Sequence, residues 1–76
     1  MENTKEDSVL DVGGLAPPEP LERVLDALED LAPGARLRVL IDREPHPLYG
    51  ILRNNGYDYS FNAGRRPYEL LIRQKS

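Results

Sequence analysis

The chain has no cysteine and one histidine, His46, among its 76 residues. Without a thiol it can form no disulfide, thioester, persulfide or iron–sulfur ligation of its own, and most covalent catalysis is excluded with them. No apolar run approaches the roughly 18–20 residues that a membrane-spanning helix needs. The opening Met1-Glu-Asn-Thr-Lys-Glu-Asp-Ser8 lacks the hydrophobic region of a signal peptide, so the expected location is the cytoplasm. Also missing are a Ser-His-Asp arrangement at reachable spacing, a glycine-rich phosphate loop after a strand, and the HExxH and CxxC motifs. Gly13-Gly14 run into Leu15-Ala-Pro and read as a turn rather than a nucleotide fingerprint. Enzymatic activity is not expected. A chain this short makes one domain, since it buries only about 60% of its unfolded surface.

The charge that is present is unevenly placed. Residues 1–35 hold nine acidic side chains against Lys5 and Arg23, a net of −7. Residues 36–76 hold seven arginines and Lys75 against Asp42, Glu44, Asp58 and Glu69, a net of +4. The molecule is expected to be bipolar with a total of −3, a poor balance for non-specific nucleic-acid binding.

Residues 1–8 are polar and read as a disordered tail, leaving residues 9–76 as the domain. Val9-Leu-Asp-Val12 suits a short strand that stops at Gly13-Gly14. Leu21, Val24, Leu25, Leu28 and Leu31 recur at steps of three and four, one stripe of a helix, with Pro18 and Pro20 at its start and Pro33-Gly34 after it. Arg36-Leu-Arg-Val-Leu-Ile41 alternates as a strand with one wet face. Pro45-His-Pro-Leu48 opens a second helix carrying Leu48, Ile51 and Leu52, with Gly56 as a left-handed cap. Tyr57, Tyr59 and Phe61, then Tyr68, Leu70 and Ile72, alternate through two antiparallel strands joined by residues 62–67. The order is βαβαββ, an α+β two-layer sandwich with a four-stranded mixed sheet and two helices on one face.

The chain repeats once at an offset of 27 residues. Leu10, Val12, Pro18, Pro20, Leu21, Val24 and Leu25 match Leu37, Val39, Pro45, Pro47, Leu48, Ile51 and Leu52. Each unit buries a strand face under a helix, and the two units should sit side by side. The other sheet face then lies open, with Arg36, Arg38, Arg73, Glu69, Asp58 and Ser60 making it polar and mostly basic.

Leu10-Asp-Val-Gly-Gly-Leu-Ala-Pro-Pro-Glu-Pro-Leu21 resembles the opening of the TusA/SirA-like sulfur-carrier family, a Leu-Asp strand followed by Gly-Leu and Cys-Pro-x-Pro at a helix start. Gly14, Leu15, Pro18 and Pro20 match that pattern, and the family's βαβαββ fold would cover residues 9–75. The family's sulfur-accepting cysteine falls at Pro17. A closer resemblance is to the cysteine-lacking bacterial branch of the same superfamily, through Leu10–Glu19 and Asp42-Arg-Glu-Pro-His-Pro-Leu-Tyr49. Some members of that branch are fused to hemerythrin-like domains that handle oxygen or iron, which implies a metal or redox setting. Many place a histidine near the position of Arg43.

Three places could carry function. At Pro17-Pro18-Glu19-Pro20 the prolines set the entry angle of a helix and Glu19 complements its dipole, or the corner is a docking surface offering Glu19 to a basic partner. At Asp42-Arg43-Glu44-Pro45-His46 polar groups gather where a strand hands over to a helix, and Asp11 would complete a loose one-histidine, two-carboxylate metal set with Asp42 and His46. The basic sheet face could meet an acidic protein or RNA, although Tyr57, Tyr59, Phe61 and Tyr68 fall on the inward register and leave no stacking platform.

The reading is a non-catalytic interaction or adaptor module whose docking surface comprises Glu19, Asp42, Arg43, Glu44 and His46. It assigns no catalytic residue, no metal ligand set and no cofactor. The partner is another protein, with nucleic acid disfavoured, no membrane, and a monomeric chain. The alternatives are a ligand- or metal-binding accessory domain of an oxygen, nitrogen-oxide or redox system, and RNA binding by the sheet face.

Overall fold

The computed structural model describes residues 7–16 and 18–74. Its elements are β1 (Asp7–Asp11), α1 (Glu19–Glu29), β2 (Arg36–Ile41), α2 (His46–Asn54), β3 (Tyr57–Asn62) and β4 (Tyr68–Gln74). They form one sheet in the order β1-β2-β4-β3, with β1 and β2 parallel and the other pairs antiparallel. The fold is the small α+β architecture that the periodicity implies.

β1 starts at Asp7, two residues before the expected Val9, because ladder pairing of Asp7 with Arg36 and Ser8 with Leu37 needs backbone groups rather than apolar side chains. The rest of the expected tail, residues 1–6, lies outside the described residues, as does Pro17.

Each helix begins where proline at its second position costs no hydrogen bond, since first-turn amides lack intrahelical acceptors. Glu19 and Glu22 in the first turn of α1 complement its dipole. α1 ends at Glu29, yet the stripe continues past it: the Leu31 amide donates to the Leu28 carbonyl at 3.2 Å, and the Leu31 side chain is buried. Gly56 after α2 has φ +80°, the left-handed conformation expected of it.

The core holds Val24 and Leu28 from α1, Leu48 and Leu52 from α2, Leu37, Val39 and Ile41 from β2, and Leu70 and Ile72 from β4. The two repeat units turn differently onto it. Val24 is fully buried where its equivalent Ile51 is half-buried, and Leu52 is fully buried where its equivalent Leu25 is half-buried. Two helices following parallel strands on one sheet face present opposite flanks to each other, so Leu25 and Ile51 both line the shallow groove between them.

The open sheet face carries the arginines and acids expected of it, and they face one another in pairs. Arg38 Nε pairs with Glu69 Oε2 at 2.7 Å and Arg73 Nη2 approaches Asp58 Oδ2 at 4.0 Å, so the acids of β3 and β4 offset the arginines. Register also brings Val9, Leu40 and Leu71 onto this face, with Val9 61% exposed. Tyr57, Tyr59, Phe61 and Tyr68 pack against the core on the other face, as their alternation requires.

Candidate functional site

Three loops meet at one end of the sheet: those following β1 and β2, and the β3–β4 turn. The first two follow parallel strands, and β4, antiparallel to β2, begins beside its end, with Tyr68 opposite Ile41. The loops and helix starts enclose a groove of about 800 Å³. Its lining is chiefly apolar: Leu15 and Ala16 from the first loop, Leu21 and Val24 from α1, Val12 and Ile41 at the strand ends, and Leu48 from α2. Pro18, Pro20, Pro45 and Pro47 all line it, so both repeat units present proline rings to one space. Proline has no amide to offer, which makes these helix starts poorer in hydrogen-bond donors than ordinary ones.

The loops are fastened by two carboxylates. The Gly13 amide donates to Asp11 Oδ1 at 2.9 Å and the Gly14 amide to Asp42 Oδ2 at 2.7 Å. A Cβ at Gly13 would lie 3.2 Å from Asp11 Oδ1 and 3.3 Å from Asp42 Oδ1, so the two carboxylates do stand beside each other with this glycine between them. Gly14 has φ +83°, which lets the turn aim its amide at Asp42.

Of the residues expected at the site, Asp42, Arg43 and Glu44 line the groove. Glu19 and His46 are absent from its lining. The exposed Glu19 accepts from Arg23 Nη2 at 3.5 Å, a contact one helical turn along α1. His46 is 74% exposed, with Nε2 3.4 Å from Glu44 Oε1 and its ring edge-on to Tyr49. His46 therefore does not join Asp11 and Asp42, and among the described residues no three of His, Cys, Asp and Glu gather as a metal ion requires.

Beyond His46 the same loop opens a lateral network. The Tyr49 hydroxyl donates to Glu44 Oε2 at 2.9 Å, and its ring stacks on Tyr59 with centroids 4.6 Å apart. Arg53 Nη1 donates to the Tyr59 hydroxyl at 2.9 Å. Partial burial, then the Glu44 carboxylate, holds the Tyr49 phenol well above its ordinary pKa of 10.0.

Sequence reasoning missed Arg66 at this site. Arg66 lines the groove, its guanidinium 6.0 Å from the Tyr68 ring centroid. The signal was the hairpin itself: a turn joining two antiparallel strands must return to the end where β3 finishes. With Arg43 and Arg66 against Asp42 and Glu44, the groove can hold an apolar group between charges of both signs.

The chain belongs to the family described as Uncharacterized conserved protein (DUF2249), whose model matches residues 9–74. No curated protein matches it.

Proposed function

We propose that this DUF2249 protein is a non-catalytic docking module that receives an apolar element of another protein in the groove between its two helix starts. The observation that carries this reading is that both Pro-x-Pro starts, 27 residues apart, line one apolar space flanked by Arg43, Glu44 and Arg66. Proline rings and Leu15, Leu21 and Leu48 supply area for burial, and charges of both signs fix orientation.

The resemblance of Leu10–Leu21 to sulfur carriers of the TusA/SirA-like superfamily supports the same reading. There the equivalent corner hands sulfur to a partner; with Pro17 in place of cysteine, docking can persist without transfer. This chain then acts in the bacterial cytoplasm as an adaptor. A ligand- or metal-binding role has less support, because Asp11 and Asp42 each accept a backbone amide and His46 turns to Glu44. RNA binding also has less, because Arg38 and Arg73 face acids and the aromatics point inward.

Affinity capture from the native lysate tests the proposal with wild type beside an Ala16→Arg, Arg66→Glu variant, both positions being exposed in the groove lining. One protein recovered by wild type and lost by the variant, at unchanged circular dichroism, is the expected result. Equal recovery by both would place the docking surface elsewhere.

A further inference from the structure

We propose that two copies of this chain associate through β3, antiparallel about a two-fold axis at Ser60, to make one eight-stranded sheet. The two edges of the sheet are β1 and β3. Edge strands carry a row of backbone groups that can pair with another chain unless something opposes it. β1 is self-opposed. An antiparallel β1 pair centred on Val9 would set each Asp7 position opposite Asp11 of the other copy, acid against acid twice over.

β3 is self-complementary in the corresponding register. With Ser60 on the axis, Asp58 stands opposite Asn62 of the second copy, and Tyr59 opposite its Phe61. The first pairing sets a carboxylate beside an amide that can donate to it. The second sets two aromatic rings together on the helix-bearing face, where both are half-buried in the single chain. Face matches face throughout: Asp58, Ser60 and Asn62 are on the open side, Tyr59 and Phe61 on the core side. β3 has no proline and no lysine, and its six residues pair with β4 without a bulge, so its outer edge is straight enough to extend the ladder.

The inference departs from the monomer expected of the sequence and does not depend on the groove. A two-fold axis normal to the sheet leaves both helix layers on one side and places the two grooves at opposite ends. The assembly is then a bivalent adaptor.

Sedimentation equilibrium of the full chain up to about 1 mM tests it, with an Asn62→Asp variant and an Asp58→Asn, Asn62→Asp double variant. Asn62→Asp keeps the oxygen that accepts the Gly64 amide at 3.0 Å, so the turn survives while two acid–acid contacts appear across the axis. Wild type should sediment as a reversible dimer. Asn62→Asp should weaken the dimer about fivefold or more, most strongly at low salt. The double variant, which restores an acid opposite an amide, should recover it. Wild type remaining monomeric over the whole range, or a dimer indifferent to Asn62→Asp, would overturn the proposal.

Discussion

The Gly14 amide donates to Asp42 Oδ2 at 2.7 Å across 28 residues of chain, tying the first strand-to-helix loop to the second. A carboxylate accepting a backbone amide is a charge-assisted bond, stronger than a neutral one. Asp42→Ala should therefore cost about 1–2 kcal/mol, allowing for solvent at this exposed site. In a domain of this size each kcal/mol lowers the melting midpoint by roughly 4–8 °C. Asp42→Asn, which keeps an acceptor, should lose clearly less; equal losses in calorimetry would show that the bond does not fasten the loops.

Tyr49 should make the protein less stable at alkaline pH. Its folded pKa lies above the unfolded value of 10.0, through partial burial and then the Glu44 carboxylate. Above pH 10 the unfolded chain releases this proton while the folded one retains it, so unfolding becomes favoured as pH rises. The stabilising contribution is complete below that pH and declines above it. Urea midpoints should fall between pH 10 and 11 in wild type and fall less in Tyr49→Phe, and ultraviolet titration should find a phenol, absent from Tyr49→Phe, that stays protonated above pH 10. Identical pH profiles for the two proteins would remove Tyr49 as the cause.

Two glycines should respond oppositely to alanine. Gly50 lies within α2, and a Cβ there meets nothing within 4 Å, so Gly50→Ala should stabilise by about 0.5–1 kcal/mol through chain entropy. Gly56 has equal space but φ +80°, and Gly56→Ala should cost about 1–2 kcal/mol. Denaturant melts of both variants check the contrast, which fails if the two shifts share a sign.

The ion pair of Arg38 and Glu69 is short at 2.7 Å, yet both side chains are more than a third exposed. Solvent screening limits it, and a double-mutant cycle with alanine at both positions should return a coupling of about 0.2–1 kcal/mol that fades in high salt. A coupling of several kcal/mol would mean that the open sheet face is covered in solution.

Element types, and the faces those elements bury, were legible in the spacing of the residues. Steps of three and four through Leu21, Val24 and Leu28 could only make a buried helical stripe, and alternation through Leu37, Val39 and Ile41 could only make a strand wet on one side. The positive φ of Gly56 was equally local, since it follows from the lack of a side chain. Which residues meet across elements came from the packing of the whole chain. Inserting β4 between β2 and β3 sets Glu69 diagonally beside Arg38, so charges expected only to share a face become an ion pair. The loops after β1 and β2 and the turn before β4 come to one end, so Arg66 joins Arg43 in the groove while His46 turns away to Glu44 and Tyr49. Periodicity carries direction relative to the backbone of one element. Strand order and loop convergence depend on the burial of all the elements together, which no single stretch of sequence encodes.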